Sequence, residues 1–234
     1  MAAALVLAGG SGTRVGAGRN KVYLPVAGRS VLAWSIDALT RAPAVGPVVL
    51  VVRAEDRALA EGVLTHEVEH GAGVETVVGG STRQDSELAG LRRLASRVED
   101  GEVDVVLVHD GARPLVTGAL VAEVVAVARE VGGAVPGLVR DDLAVSGADD
   151  GLVGPAAPGL VAVQTPQGFR ARPLLAAYEQ AAREGFVGTD TASCVARFAA
   201  DVAVRRIPGE AANVKITYGH DVSVAAEALL RHAP

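Results

Sequence analysis

Short apolar runs rich in valine, leucine and alanine recur along the chain, and most are apolar at consecutive positions rather than at every second one. Strands that are covered by helices on both faces of a sheet show this pattern. We therefore predict strands at residues 3–7, 48–52, 76–78, 103–108, 134–136, 161–163 and 202–207.

Segments with the three- and four-residue spacing of helices lie between these runs. Ser30 suits an N-cap, and Pro173 suits the first turn of a helix. We predict helices at residues 31–39, 85–98, 120–129, 173–183 and 221–230. The alternation of strands and helices predicts an α/β fold in three layers, with a doubly wound, mostly parallel sheet.

Residues 138–158 (LVRDDLAVSGADDGLVGPAAP) interrupt this alternation, because they are rich in aspartate, glycine and proline. One interpretation is an arm or hairpin that protrudes from the main body, with ADDG as its turn. The other is an ordinary mobile surface loop. No internal repeat is visible, so we expect residues 1–234 to form one domain that contains this segment.

The composition excludes several classes of partner. Half of the 234 residues are hydrophobic, which allows a large core, and the net charge of -5 argues against a nucleic-acid coat or an anionic membrane surface. No stretch approaches the roughly 18 apolar residues that span a bilayer. The start, MAAALVLAGG, lacks a basic region and is typical of a first strand rather than a signal peptide.

Two scarce residue types narrow the chemistry. Cys194 is the only cysteine, so the chain can form neither an internal disulfide nor a cysteine-based metal site, which favours a reducing cytoplasm. Lys21 and Lys215 are the only lysines, whereas arginine supplies the other positive charges. Because the chain uses arginine for every other basic position, its two lysines are candidates for a role that the planar arginine side chain does not fill.

A glycine-rich run, LVLAGGSGTRVGAGRNK (residues 5–21), follows the first predicted strand. Ligands of open α/β sheets bind beyond the carboxyl ends of strands, and glycines let main-chain N–H groups approach phosphate oxygens. The run matches neither a Walker A loop nor a G-x-G-x-x-G fingerprint. Because Arg14 and Lys21 accompany the glycines, we favour phosphate binding over a surface salt bridge for Arg14 or a solvated loop lysine at Lys21.

These residues resemble a known family. LAGGSGTR followed by NKVYLPVAGRSVLAWSIDAL looks like the start of a nucleotidyltransferase that acts on sugar or polyol phosphates. GGSTRQDSELAGL, VLVHDGARPLV, VQTPQGF, GTDTAS and NVKIT then follow in the order seen in the 2-C-methyl-D-erythritol 4-phosphate cytidylyltransferase family of the non-mevalonate isoprenoid pathway. The resemblance covers essentially the whole chain and implies a Rossmann-like nucleotidyltransferase fold.

The implied reaction joins CTP to a polyol phosphate and releases pyrophosphate. A phosphate monoester has a second pKa of about 6, so the attacking oxygen is already deprotonated and needs no general base. The site must instead bring anions together, which calls for cations, Mg²⁺ and backbone donors. By resemblance, Arg14, Lys21 and Lys215 are the catalytic cations.

The resemblance also implies a set of nucleotide contacts. Backbone groups at the start of the glycine-rich run would contact the nucleotide, and a second segment would read the base and ribose. This set comprises Ala8, Gly9, Gly10, Gly80, Ser81, Arg83 and Ser86. Ser86 is equally suited to begin a helix.

Asp110 ends a strongly apolar predicted strand, and its carboxylate is a hard oxygen ligand suited to Mg²⁺. Arg113, Thr189 and Asp190 are the candidate acceptor contacts by resemblance. The alternatives are an Asp110–Arg113 ion pair that shapes a turn and a helix N-cap at Thr189 and Asp190. His109 is more typical of a packed, hydrogen-bonded residue than of a ligand.

Some positions depart from the family pattern. Proline usually precedes the lysine of the first loop and glutamine follows it, but this chain has Asn20 and Val22. The arm usually reads R-D-T followed closely by lysine, and here it continues from Arg140 as two aspartates. An arginine expected to reach the partner subunit's acceptor site falls near Ala157. The alternative functions are a cytidylyltransferase for another acceptor, such as ribitol 5-phosphate, and a non-catalytic CTP-binding protein, against which Arg14, Lys21 and Asp110 argue. The resemblance and the possible arm together favour a homodimer.

Overall fold

The computed structural model describes residues 1–10, 20–149 and 151–232. The strands in these ranges are β1 (Ala2–Leu7), β2 (Pro25–Val26), β3 (Arg29–Ser30), β4 (Val45–Val52), β5 (Val74–Val78), β6 (Val105–Asp110), β7 (Gly132–Val139), β8 (Ala144–Ser146), β9 (Leu152–Pro155), β10 (Val161–Val163), β11 (Gln167–Arg170) and β12 (Ala203–Pro208). The helices are α1 (Val31–Thr40), α2 (Arg57–His66), α3 (Arg83–Arg93), α4 (Ala95–Glu99), α5 (Gly118–Val131), α6 (Ala171–Glu184), α7 (Thr191–Phe198) and α8 (Gly219–His232). Short 3-10 helices lie at Lys21–Tyr23, Ala54–Asp56 and Gly71–Gly73.

An 8-stranded mixed sheet forms the centre of the molecule. From one edge to the other its strands are β5, β4, β1, β6, β11, β7 and β12, with β10 also paired to β7. The pairs β1–β4, β1–β6, β4–β5 and β7–β12 are parallel. The pairs that involve β10 or β11 are antiparallel. The prediction of a mostly parallel sheet is confirmed.

Alternate residues of β1 pack into opposite layers, and all but its last residue are fully buried because helices cover both faces of the sheet. Ala4 and Val6 belong to one core cluster, which α1 and α5 complete. Leu5 belongs to a second cluster on the other face, where α3 and α6 supply Leu88 and Leu174. The consecutive apolar positions of the sequence thus correspond to two separate cores, and the three-layer prediction is confirmed.

Most predicted helices are present with extended ends, and Ser30 caps α1 by accepting a hydrogen bond from the N–H of Ala33 at 3.2 Å. The predicted helix at residues 85–98 is wrong as one element, because the chain divides at Leu94 into α3 and α4. The elements that were not predicted include α2 and α7, which bury few of their side chains, and β11, whose sequence QGFR contains a single large apolar residue.

Strands β8 and β9 pair with each other as a separate two-stranded sheet within residues 138–158. The chain leaves the central sheet at the end of β7 and returns to it along β10. The segment exposes apolar side chains, including Val145 and Val153, the latter 73% exposed. Of the ADDG residues at its turn, Asp150 lies outside the described residues.

Across residues 1–10, 20–149 and 151–232, no helix has both the length and the apolar character needed to cross a membrane.

Candidate active site

A cavity of about 260 Å³ opens at the edge of the sheet where the parallel strands β1, β5 and β6 end. Ligand sites of open α/β sheets occur at this edge, because the loops that follow the strands diverge there. The described residues that line it are Leu7, Gly9, Gly10, Lys21, Val22, Gly80, Ser81, Thr82, Arg83, Ser86, Asp110, Ala112 and Lys215. The cavity therefore gathers residues from separate stretches of the sequence.

Asp110 is the last residue of β6, and three cations surround its carboxylate. Arg83 Nη1 lies 2.6 Å from Oδ1, Lys215 Nζ lies 2.9 Å from Oδ2, and Arg113 Nε lies 3.5 Å from Oδ2. Burial alone would raise the pKa of Asp110, but the charges of Arg83 and Lys215 outweigh it and hold that pKa far below its usual range. Asp110 is therefore ionised at any working pH.

A buried hydrogen-bonded chain fixes the backbone of Asp110. Its N–H donates to Thr165 Oγ1 at 3.0 Å, and the Thr165 hydroxyl lies 3.2 Å from His109 Nδ1. The other ring nitrogen, Nε2, lies 3.3 Å from the carbonyl oxygen of Arg113. Since that carbonyl only accepts, we assign the proton of the ring to Nε2, and Thr165 then donates to Nδ1. Burial lowers the pKa of His109 to about 4, which keeps the ring neutral.

The glycines at the cavity are of two kinds. A Cβ added to Gly10 would meet no described atom within 4 Å, and one added to Gly9 would meet only Ser86 Oγ at 3.8 Å and Arg53 Cγ at 4.0 Å. A Cβ at Gly79 would instead lie 2.5 Å from Ser86 Oγ, and one at Gly80 would collide with Asp85. Packing therefore explains the second pair, whereas the first pair leaves open space along the backbone for a ligand.

The start of α3 places three candidate residues on the cavity wall. Thr82 caps the helix: its Oγ1 accepts from the N–H of Asp85 at 3.0 Å, and Asp85 Oδ2 accepts from the N–H of Thr82 at 3.1 Å. Ser81 donates to the same carboxylate at 2.9 Å. This capping box fixes the first turn, so Arg83 and Ser86 face the cavity. The N-cap is thus Thr82, and Ser86 lies within the helix rather than at its start.

Arg83 also joins the cavity to the core of the protein. Its Nε lies 2.8 Å from Glu87 Oε1, one turn further along α3. Glu87 is 1% exposed and accepts hydrogen bonds from Tyr178 on α6 and from Thr191 on α7, the latter at 3.2 Å. Burial raises the pKa of Glu87, although the charge of Arg83 acts in the opposite direction. The Arg83 guanidinium is thus held between two carboxylates.

The two lysines reach the cavity from opposite ends of the chain. Lys21 lies in the 3-10 helix Lys21–Tyr23 and is largely buried. The segment of Lys215 is held beside β6: the N–H of Ile216 donates to the carbonyl of Ala112 at 2.9 Å, and Arg113 Nη1 donates to the carbonyl of Asn213 at 2.8 Å. The structure thus brings Lys21, Lys215 and Asp110 to one cavity, whereas Arg14 lies outside the described residues.

None of the candidate acceptor residues is among the described residues that line this cavity, although Arg113 contacts Asp110, which is one of them. Arg113 is buried, and it contacts Asp110 and the carbonyls of Asn213 and Val163. Asp190 caps α7, since its Oδ1 accepts from the N–H of Ser193 at 2.9 Å. The Asp110–Arg113 ion pair is therefore present, and the N-cap is present at Asp190 but not at Thr189. An acceptor role for Arg113, Thr189 and Asp190 stays a prediction.

Two residues of the site were not singled out from the sequence. Thr165 holds the backbone of Asp110, and Asn213 Nδ2 donates to the Thr165 carbonyl at 2.9 Å. The motifs VQTPQGF and NVKIT contain them, but a single sequence gives no sign that these stretches meet beside β6.

The donor set fits a magnesium ion that is held mainly by substrate. Among the described residues, no group of three or more histidine, cysteine, aspartate or glutamate side chains could hold a metal. Asp110 is the carboxylate on the described cavity wall. Mg²⁺ in nucleotide sites usually takes one or two carboxylates together with phosphate oxygens and water, so a lone aspartate is sufficient when a triphosphate is present.

Known sequences resemble this chain over nearly its full length. A sequence model of the 2-C-methyl-D-erythritol 4-phosphate cytidylyltransferase family matches residues 2–232. A relative of that name from Thermobifida fusca is 39% identical over 236 residues, covering 98% of this chain and 93% of the relative. Another of the same name from Deinococcus radiodurans is 40% identical and covers 98% of this chain and 90% of the relative.

Solved structures share the fold. The 2-C-methyl-D-erythritol 4-phosphate cytidylyltransferase of Thermus thermophilus matches with a TM-score of 0.72 and 32% identity, covering 97% of this chain and 98% of that one. The 4-diphosphocytidyl-2C-methyl-D-erythritol synthase of Anaerococcus prevotii matches with a TM-score of 0.82 and 26% identity, covering 99% and 96% of the two chains. The agreement extends across the whole molecule.

Proposed function

Because the chain belongs to the 2-C-methyl-D-erythritol 4-phosphate cytidylyltransferase family, we propose that it transfers a cytidylyl group from CTP to 2-C-methyl-D-erythritol 4-phosphate. The products are the CDP-polyol and pyrophosphate, and the reaction serves non-mevalonate isoprenoid biosynthesis. One observation carries the proposal: a single cavity collects Lys21, Lys215, Arg83 and Asp110 beside the backbone of Gly9 and Gly10.

The open backbone suits the triphosphate. Gly9 and Gly10 leave space where phosphate oxygens can approach main-chain N–H groups without meeting a Cβ. Ser81 and Ser86 lie on the same wall at the start of α3, where hydroxyl and backbone groups can bind the edge of cytosine and the ribose. We assign nucleotide binding to this wall, which also includes Gly80 and Arg83. Ala8, another predicted nucleotide contact, is buried outside the described lining, where its N–H donates to the carbonyl of Val51 at 2.8 Å and its carbonyl accepts from Asn20, so its role stays a prediction.

The chemistry requires charge stabilisation rather than proton abstraction. The phosphate dianion of the acceptor attacks the α-phosphorus of CTP in line, and pyrophosphate leaves. Lys21 supplies a compact positive charge to the oxygens of the pentacovalent phosphorus, and Arg14 is its proposed partner. Lys215, held 2.9 Å from Asp110, is placed to neutralise phosphate oxygens on the other side of the cavity.

Asp110 is the residue that would hold Mg²⁺ through its carboxylate, with the phosphates of CTP as the remaining anionic ligands. When bound, the ion supplies charge neutralisation for the triphosphate. In the structure, the carboxylate of Asp110 keeps Arg83 and Lys215 at the cavity wall. The same side chain thus orders the cations before the nucleotide arrives.

The acceptor half of the site is proposed to need a second copy of the chain. Val139, Val145 and Val153 expose apolar side chains along the segment of residues 138–158, and such a strip on a hairpin suits a protein interface. We propose that this arm forms a homodimer and that Arg113, Thr189 and Asp190 help to bind the polyol phosphate. Both proposed substrates are charged small molecules, so we propose that the enzyme acts in the cytoplasm.

The arm gives a reason to test the acceptor directly. Asp142 stands where the family pattern has a hydroxyl, it pairs with Arg140 at 2.6 Å, and the lysine that follows in that pattern is missing. Pyrophosphate release is therefore measured with CTP and Mg²⁺, using 2-C-methyl-D-erythritol 4-phosphate and ribitol 5-phosphate in parallel. We expect a higher kcat/KM for the methylerythritol phosphate. A preference for ribitol 5-phosphate would reassign the acceptor, and CTP binding without turnover would indicate a non-catalytic protein.

A further inference from the structure

Asn20 immediately precedes Lys21, and its side chain is almost completely buried at 1% exposure. Nδ2 donates to the carbonyl oxygen of Ala8 at 2.6 Å and to Asp56 Oδ2 at 2.9 Å. Oδ1 accepts from the N–H of Val22 at 3.4 Å. A buried amide with all of these partners is costly to disrupt, because each abandoned group would lose its hydrogen bond away from water.

The two ends of the glycine-rich segment meet at this amide. Ala8 follows the last residue of β1, and Asn20 is the residue before the 3-10 helix that carries Lys21. The hydrogen bond from Asn20 to Ala8 therefore joins the two described ends of this segment and holds residue 20 beside the end of the strand. Closing a loop in advance removes conformational freedom that substrate binding would otherwise have to remove.

A second anchor holds the same amide from the neighbouring strand. Asp56 is 5% exposed, and Arg53, which follows β4, donates to its Oδ2 from Nε at 2.8 Å. The carboxylate is thereby kept in place for Asn20. Asn20 is thus connected both to the end of β1 and to the segment after β4, two parallel neighbours in the sheet.

The backbone of Asn20 has a conformation that a proline could also adopt. Its φ of -60° and ψ of 125° lie in the range that proline adopts. Proline at this position would restrict the backbone without the hydrogen bonds to Ala8 and Asp56, whereas alanine would supply neither restraint. A comparison of the proline and alanine variants therefore distinguishes a residue that positions Lys21 from one that only stabilises the fold.

We propose that Asn20 is a positioning residue for catalysis: its side chain binds the carbonyl of Ala8 at the end of β1 and so fixes the adjacent Lys21 in the cavity, with Asp56 as its anchor. The inference rests on the proposed function, because it assigns to Lys21 a role in transition-state stabilisation. Asn20 itself touches no reacting atom.

The test compares N20A, N20P and N20D in steady-state assays with CTP and the methylerythritol phosphate. We expect N20A to lower kcat about tenfold, as for loss of orientation of one charged group, while KM for CTP changes less than about threefold. N20P should recover most of kcat, because the backbone restraint is restored. N20D should be as impaired as N20A, because its carboxylate would face that of Asp56.

Matched carboxylates supply the control. Asp56 and Asp37 are both buried acceptors of an arginine hydrogen bond, but Asp37 pairs with Arg29, away from the described cavity lining. D56A should lower kcat as N20A does, because it removes the acceptor of Asn20, whereas D37A should lower the thermal midpoint and leave kcat within about twofold. Equal kcat losses in D56A and D37A, or a wild-type kcat in N20A, would overturn the proposal.

A double-mutant cycle separates this inference from the proposed function. In a K21A background, N20A should add little further loss, because the residue that it positions is already absent. A full additional loss would show that Asn20 acts independently of Lys21 and would refute the proposal. If K21A alone retained full turnover, the catalytic role proposed for Lys21 would be refuted, whatever the result for Asn20.

Discussion

The cavity and the arm differ in how completely one chain builds them. At the cavity, Asp110, Arg83 and Lys215 are joined by charged hydrogen bonds of 2.6–2.9 Å, and the carboxylate lies buried. In the arm, Val153 is exposed, and the ion pair of Arg140 and Asp142 faces solvent. The cavity thus has its polar groups ordered before any ligand binds, while the arm presents an exposed apolar surface.

From this difference we infer that the cavity and the arm serve different parts of the proposed reaction. Charge stabilisation requires groups that do not have to reorganise, and the buried network provides them. Recognition of the acceptor can be completed by a second subunit, whose contact with an exposed apolar strip would also bury that strip. We therefore expect changes at the cavity to affect turnover and changes in the arm to affect acceptor affinity and assembly.

The largest effect is expected for D110N. It removes the charge that balances Arg83 and Lys215 and the proposed ligand of Mg²⁺, so we expect kcat/KM to fall about 1,000-fold, as for loss of a key electrostatic group. Steady-state pyrophosphate release over a range of Mg²⁺ concentrations measures it. The matched control in the arm is D142N, which should change turnover less than about threefold. Similar losses in the two variants would remove the contrast between the regions.

A smaller effect is expected from pH, through His109. Its pKa is lowered to about 4 by burial, whereas the unfolded chain keeps a value of about 6.5. Below about pH 6.5 the unfolded state therefore binds a proton that the folded state does not, and stability falls as the pH drops towards about 4. The full loss from this group is about 3 kcal/mol, since each pKa unit corresponds to about 1.4 kcal/mol.

Urea unfolding of the wild type and H109Q at about pH 7 and about pH 4.5 tests this expectation. The wild type should lose more stability than the variant between the two pH values. Residues 138–158 contain no histidine, so the protection of amides against exchange, taken relative to the intrinsic exchange rate at each pH, should fall at about pH 5 beside Asp110 more than in the arm. The same loss of stability in both proteins would show that His109 is not the responsible group.

The smallest effect is expected in the arm itself. V153E places a charge on the exposed apolar strip, so we expect weaker dimerisation and a KM for the methylerythritol phosphate raised about tenfold, with CTP affinity unchanged. Sedimentation velocity and steady-state kinetics measure the two quantities. L59E serves as the control, because Leu59 is an exposed residue of α2 outside the arm. A monomeric wild-type protein with full activity would contradict the proposed role of the arm.

The sequence predicted those parts of the structure that depend on interactions between residues close together in the chain. Consecutive apolar residues in β1 and β6 predicted buried strands, and the position of Asp110 at a strand end predicted its place at the cavity. The antiparallel strand β11 was missed because its four residues carry little local signal, and its neighbours β6 and β7 determine its conformation. Local pattern was sufficient where a segment's own residues decide its structure.

The candidate site shows the same limit. The glycine-rich loop and its lysine were recognisable, but Glu87, which pairs with Arg83 on α3, also bonds to Tyr178 and Thr191, 91 and 104 residues further along the chain. In the sequence, Asn20 was notable only as a departure from the family pattern. The structure shows that its buried side chain donates hydrogen bonds to Ala8 and Asp56. Partners fixed by tertiary contacts could not be inferred from one sequence.

The most direct test of the central claim is K21A, with CTP binding and single-turnover pyrophosphate release measured on the same preparation. If Lys21 acts with Asp110 and Lys215 on one nucleotide, the rate should fall about 100-fold or more, while the dissociation constant for CTP changes only a few-fold. Thermal unfolding should confirm that the variant remains folded. An unchanged single-turnover rate in folded K21A would contradict the account.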